Sequence, residues 1–537
     1  MNIKKQFVGD AMWIALSLMG IMHALAFFVR DTGFELPIFI IFGIFVLIVS
    51  WRSQLNGLLI AFAEIFVGGH GHLLDIEVLG FSLSIRMLIF AIVMTVWLIK
   101  YARIPLLFKE GPGVVISRMI FVRDLPWLVL IVAVAVGTLI GFLQNDPSAA
   151  FDDMNGYVVI GYLLPILTIK WGQENKRKLL QVLFASVVWI MGFTVALAYA
   201  FTHIDGDNLH NLYTFVRDSR LAEVTLQVIG SDVPFLNRFE GDYWYRIFMP
   251  TQTIVMFGML LMYASAMYLW RKSKSPWFMW VMFGLSILTI ILSLSRSFIL
   301  GAVAGGLIIF ITAWMFGKGK WSIVVRTLGS VVVSIFAVLS IIAIVQVPIP
   351  QRPDLSDAAF FETSSDTGRS EAVVSRWNLL DPMMDEIIES PIIGSGFGKE
   401  VTYTSEDPRI ISELGNQGYT TYRFEWGWHD IWLKMGLLGL AGFIWYIVSI
   451  VRVGWFTMQS KGHKWLVIGL VAGIVGLFVT HTFSPYLNHP IGLSLMLFII
   501  PFIDWDGFAK KRKEAYIEVR KKKLMKRPAT VVASNIK

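Results

Sequence analysis

Long apolar runs separated by short polar loops recur along nearly the whole chain. A hydrocarbon core needs ~20 apolar residues per helix, and shorter runs serve where protein covers the ends. By that rule the sequence predicts about fourteen spans. They run over 11–29, 36–51, 58–67, 85–98, 125–142, 158–169 and 179–201, then 249–270, 277–294, 298–316, 324–347, 431–453, 465–483 and 491–502. The third is short, and the sixth and last are near the lower limit. Only 16% of residues are charged, where a soluble domain carries roughly a quarter. The predicted class is therefore an all-α polytopic membrane protein with about 12–14 transmembrane helices and a large outer loop bearing short helices.

The loop charges orient these spans. With Lys4 and Lys5 inside, alternation places Arg52, the stretch holding Lys100, Arg103, Lys109, Arg118 and Arg123, and Lys176-Arg177-Lys178 on the cytoplasmic side. Arg271, Lys272 and Lys274, then Lys318 and Lys320, then Lys461 and Lys464, and the basic tail follow on that side. The opposite loops hold Asp31, Glu35, Asp75, Glu77, Asp146, Asp152 and Asp153. This is the positive-inside pattern, which predicts a plasma (inner) membrane protein with both termini cytoplasmic and its active face outward. The net charge of +8 is thereby assigned to loops and lipid headgroups, not to nucleic acid. The absence of cysteine excludes disulfides, cysteine metal sites and thiol nucleophiles. The basic start and first apolar run lack a small-residue cleavage site, so they are read as the first span, not a signal peptide.

Four regions are expected: an N-terminal transmembrane bundle over 1–243, a second unit over 244–453 with outer loop 348–430, C-terminal helices over 454–508, and a basic tail over 509–537. Two outer loops are long, 203–245 and 348–430, and long loops between spans commonly carry function. The second contains Ser375-Arg376-Trp377 and an amphipathic acidic segment whose apolar residues are Leu379, Leu380, Met383 and Ile387. That segment is expected at the membrane surface, roofing a cavity. Next come Pro391-Ile-Ile-Gly394-Ser-Gly396-Phe-Gly398 and Trp426-Gly-Trp428-His429-Asp430. The glycine run fails as a P-loop, because Glu400 follows Lys399, and as a dinucleotide fingerprint, because Lys399 stands where the third glycine is needed. Its glycines are read as permitting a tight turn at the membrane surface.

The glycine run, the aromatic-flanked His429 and the following Gly436-Leu-Leu-Gly439 resemble the shared domain of the O-antigen ligase and O-antigen polymerase superfamily. Ser293-Leu294-Ser295-Arg296 resembles the Ser-Arg motif that opens that domain, and matching motifs cover roughly residues 245 to 440. The resemblance implies an inverting, C-type glycosyltransferase with no metal or other cofactor requirement. Such an enzyme moves a glycan from undecaprenyl diphosphate to a glycan, lipid or protein acceptor in lipopolysaccharide or related cell-envelope assembly. It implies functional roles for Arg296, Arg376 and His429. One departure is Asp430, where the family often has Asn.

The chemistry of these residues fits that assignment. Guanidinium groups bind diphosphate bidentately and stabilise charge developing on a leaving group. A histidine with a pKa near ~6.5 can accept the proton of an attacking hydroxyl. Arg296, Arg376 and His429 are thus the candidate catalytic residues, with Arg246, Trp428 and Asp430 as candidate substrate-binding residues. Each also has a structural reading: Arg296 can snorkel to the interface, and Arg376 can pair with Asp381 or Glu386 on its own helix. Glu64 and Arg86, ionisable groups in neighbouring spans, are expected to pair. His70 and His72 have too few companions in register for a metal site, and His481 and His489 flank a turn on the same face. Rival functions are a polysaccharide polymerase, a protein O-oligosaccharyltransferase, or a transporter of an anionic lipid-linked substrate.

Overall fold

The structure, a computed structural model of the 537-residue chain, describes residues 4–30, 32–78, 81–101, 121–228, 243–269, 276–317, 319–347, 349–351, 374–407, 410–411, 417–460 and 464–525. The loop residues Asp31, Arg103, Lys109, Arg118, Arg271, Lys272, Lys274, Lys318 and Lys461 lie outside them, as do residues 229–242 and 352–373 of the two long loops. The helices are α1 (Asp10–Val29), α2 (Glu35–Arg52), α3 (Gln54–Val67), α4 (Ile85–Tyr101), α5 (Phe121–Gln144), α6 (Pro147–Met154), α7 (Gln173–His203) and α8 (Gly206–Asp218). They continue as α9 (Gln252–Leu269), α10 (Pro276–Leu292), α11 (Arg296–Phe316), α12 (Lys320–Val345), α13 (Leu380–Glu389), α14 (Gly427–Ser460), α15 (Lys464–His481), α16 (Pro490–Ile499) and α17 (Trp505–Met525). Three antiparallel hairpins decorate the loops: β1 (Asp75–Val78) with β2 (Phe81–Ser84), β3 (Glu223–Val228) with β4 (Tyr243–Phe248), and β5 (Val401–Thr404) with β6 (Gly418–Thr421).

Among the described residues nine helices are long and apolar enough to cross a membrane, or ten if the bent pair Pro490–Phe502 and Trp505–Glu518 is one span. This all-α polytopic architecture has fewer full-length spans than the fourteen apolar runs. Part of the difference lies in short segments sheltered by protein. α3 has 14 residues, about 21 Å of helix, and is buried from Gly57 to Val67. The run 158–169 falls in a 3-10 helix, Asn155–Tyr162, followed by an α-helical turn, Leu163–Thr168. The steeper rise of a 3-10 helix stretches this piece to about 25 Å.

Burial sorts the helices into core and lipid-facing shell. The apolar window of α9 is 94% buried and that of α12 only 11%. α9 packs on α10, α11 and α15, α7 on α1, and α14 on α5, so helices from both ends of the sequence enclose the middle. The helix alternation gathers Arg30, His70, Asp153, Arg246, Arg296 and His429 at one end of the bundle, and Arg52, Lys100, Lys176, Lys320 and Lys464 at the other.

Glu64 and Arg86 pair as expected: Arg86 Nε lies 2.9 Å from Glu64 Oε2, and Nη2 donates to Glu64 Oε1 and to the Gly69 carbonyl, both at 3.0 Å. The amphipathic segment departs from expectation. Leu379, Met383 and Ile387 pack with Val401, Phe424, Trp426 and Leu433 in a small core of their own. Protein thus covers the face assigned to the membrane, because the hairpin β5–β6 folds back over it. The exposed apolar residues are its neighbours Ile388, Ile392 and Ile393.

Candidate functional site

The glycine run is a strap threaded into the bundle, not a surface turn. Gly394, Gly396 and Gly398 have φ of +78°, +82° and +74°, a region that costs any other residue strain. Space is equally restrictive, since a Cβ would stand 2.4 Å from Gly141 N at Gly396 and 2.5 Å from Ala150 N at Gly398. Opposite the strap, α14 breaks at Gly436, whose φ of 61° and ψ of −164° are not helical. The break releases backbone groups that the strap satisfies. Ser395 N donates to Leu433 O at 2.7 Å, Gly396 N to Lys434 O at 3.2 Å, and Leu437 N to Pro391 O at 3.0 Å. On the other side, Phe397 N donates to Gly137 O at 3.0 Å, and Asn145 Nδ2 to the carbonyls of Ser395 and Phe397 at 3.0 and 2.8 Å. Irregular backbone persists inside a membrane bundle only with such complete pairing.

A buried ion network locks the strap. Lys434 Nζ lies 2.7 Å from both Asp153 Oδ1 and Asp430 Oδ1 and donates to Tyr422 O at 2.9 Å. Asp153 accepts from Gly398 N at 3.0 Å. Asp430 also accepts from Asn488 Nδ2, whose amide oxygen accepts from Tyr157 OH at 2.9 Å. Asp430 is therefore turned into the protein, 3% exposed, and braces the site where a ligand contact was expected. The sequence reading missed Lys434. Its spacing of four from Asp430 inside an apolar run was the available signal, because a lysine at that depth needs an anionic partner.

Turn 482–484, between α15 and α16, touches Trp428 and the sequence neighbours of His429 and Arg296. Trp428 Nε1 donates to Thr482 Oγ1 at 3.2 Å, and the Trp426 ring lies 5.7 Å from Phe483 and 6.1 Å from His429. Ser297 Oγ meets Ser484 Oγ at 3.0 Å, fixing the first turn of α11. Arg246, on β4, donates from Nε to Ser293 O at 2.8 Å, and its guanidinium lies 5.0 Å from the Phe248 ring centre. It thus supports the Ser293–Arg296 turn, in which Leu294 takes a φ of 48°.

Arg296 opens α11, is exposed, and has no hydrogen-bond or ionic partner among the described residues. His429 is half-buried at the start of α14. Arg376 is exposed and pairs with Glu425; the pairing with Asp381 or Glu386 does not form, and Glu386 holds Lys399 at 2.7 Å instead. The Arg376 carbonyl accepts from Trp426 Nε1 at 2.7 Å, tying it to the segment that carries His429. His481 is fully buried and accepts from Leu487 N at 3.2 Å, so it shapes the turn. His489 reaches His70, and His72 is bonded to Asp75.

Residues 281–444, from within α10 to within α14, match the family model of the O-antigen ligases. No curated protein and no solved structure matches the chain. Residues 281–444 are thus similar to an O-antigen ligase domain, which supports a function in membrane polysaccharide assembly. The matched stretch contains Arg296, the glycine strap, His429, Lys434 and Gly436.

Proposed function

We propose that this protein is a membrane glycosyltransferase moving a glycan from an undecaprenyl-diphosphate carrier to an acceptor hydroxyl, on the outward face of the plasma membrane. The observation that carries this reading is Arg296, an exposed cation without a counter-ion among the described residues, at the N-terminus of a spanning helix. A cation there opposes the helix dipole, and a bound anion relieves both. Arg296 and Arg376 hold the diphosphate, with Arg376 drawn from Glu425 as donor binds. Arg246 keeps the Ser293–Arg296 turn in place. His429 accepts the acceptor hydroxyl's proton as its oxygen bonds to the anomeric carbon. The bond from that carbon to the diphosphate oxygen breaks, and the arginines stabilise the charge left on undecaprenyl diphosphate. Trp428 offers a flat apolar surface beside His429 for the acceptor.

The test supplies purified protein in lipid with undecaprenyl-diphosphate glycan and candidate lipid, glycan and protein acceptors. Glycan transferred to an acceptor supports the reading, and extension of one carrier-linked glycan by another redirects it to polymerisation. No reaction with any acceptor, from protein that still binds the donor, overturns it.

A further inference from the structure

Beyond α3 the chain reads Gly68-Gly69-His70-Gly71-His72. The glycines allow a close approach: a Cβ on Gly69, at φ +59°, would stand 2.7 Å from Arg220 O, and one on Gly71, at φ +95°, 3.1 Å from Arg86 Cζ. The loop thereby brings His70 against His489, with Nδ1 3.2 Å from Nε2 and ring centres 5.0 Å apart at 89°. The charges acting on His70 come from Arg86, Arg220, His72 and Arg423, and Arg86 also acts on His489.

Anions nearby are already engaged. Glu64 holds Arg86, Asp75 holds His72, and Asp152 lies 3.7 Å from Arg423. Arg86 is buried and its Nη1 has no hydrogen-bond partner. Arg220, exposed and held at a φ of 49° that non-glycine residues rarely adopt, reaches His72 at 3.5 Å. The Glu64 pair accounts for one face of Arg86 and for none of the other cations. Arg423 has Asp152, so among the described residues the donors without an anion beside the two imidazoles are Arg220 and the Nη1 edge of Arg86, and an anion would join them.

We propose that His70, His489, Arg86 and Arg220 form a binding site for a phosphate-type anion, a phosphate ester or a diphosphate. All four lie outside the matched stretch 281–444, and the site does not depend on the glycosyl-transfer reading. Partial desolvation in this loop and the neighbouring cations lower the His70 pKa to about 4, and that of His489 well below its ordinary value. An anion reverses the balance, so binding takes up a proton from solution near neutral pH.

The experiment is calorimetric titration of the full-length protein, in phosphatidylcholine nanodiscs, with inorganic diphosphate. Buffers of different ionisation enthalpy count the protons. We expect saturable binding with proton uptake. Arg220→Gln, a change at an exposed side chain, weakens it about tenfold or more, and His489→Gln removes the proton uptake. Arg296→Gln leaves this proton-linked component intact, which separates the site from the proposed donor site. Nanodiscs doped with phosphatidic acid identify the source. Competition with diphosphate assigns the site to a lipid headgroup, and its absence to a soluble phosphate compound. Absence of proton-linked binding, or binding indifferent to Arg220→Gln and His489→Gln in variants that melt like the parent, overturns the proposal. Proton-linked binding lost in Arg296→Gln alone would also overturn it and leave the transferase reading standing.

Discussion

Gly394 and Gly436 meet backbone to backbone: a methyl group on Gly394 would stand 2.6 Å from the Gly436 amide nitrogen, and one on Gly436 2.2 Å from the Ile392 carbonyl oxygen. Backbone on both sides leaves no flexible side chain to yield. Both residues also have positive φ. Gly394→Ala and Gly436→Ala are each expected to destabilise by about 1–3 kcal/mol or more. Gly192→Ala is the control, since a Cβ there meets open space, and alanine improves a helix interior by roughly 1 kcal/mol. Thermal unfolding in detergent measures the difference; equal melting temperatures for all three variants would contradict the strap's tight threading.

Lys434 neutralises two carboxylates, so its removal strands both. Lys434→Met is expected to cost roughly 3–5 kcal/mol, as for other broken buried ion pairs. The double variant Lys434→Met/Asp430→Asn should lose less than the two single changes added together, because their partners are shared. Additive losses would show that the two side chains do not interact.

At the proposed transfer site, His429→Ala should abolish glycan transfer yet leave donor binding near the parent value, since the base acts on the acceptor. Arg376→Lys should weaken donor use although charge is kept, because an ammonium cannot reproduce the bidentate fork. Donor binding and transfer rate measured separately distinguish the roles. Full activity in the His429 variant would remove the mechanism.

The His70–His489 pair imposes an acid limit on stability. Unfolded histidine titrates near ~6.5, whereas folded His70 stays neutral to about 4 and His489 is likewise depressed. The unfolded chain therefore binds more protons between pH ~6.5 and about 4. The pair's contribution is full above pH ~6.5 and is lost as pH falls towards 4, with Arg86, Arg220, His72 and Arg423 opposing protonation throughout. Melting temperature against pH for the parent and His70→Gln should separate over that window and run parallel above it. Parallel curves throughout would refute the assignment.

Orientation is testable because the chain has no cysteine. Gln417 and Glu174 are exposed at opposite ends of the bundle. Gln417→Cys is expected to react with an impermeant thiol reagent in intact cells, and Glu174→Cys only after permeabilisation. The reverse labelling would turn the protein over and place Arg296 and His429 in the cytoplasm.

The apolar helices and their alternation were legible in the amino-acid order alone, because partitioning an apolar run into lipid is a local property of about twenty consecutive residues. That order also determined the Glu64–Arg86 pair, since two ionisable groups at similar depth in adjacent spans have few other ways to be satisfied. Three-dimensional packing was needed to show that Arg376 meets Glu425 and that the glycine run enters the bundle beside α5. It alone brings His70 to His489 across 419 residues of chain, and Asp153 to Lys434. Those partners depend on which helices lie side by side and at what rotation. That is settled by close packing and by the pairing of buried polar groups, both summed over the whole bundle, and no local pattern in one sequence encodes it.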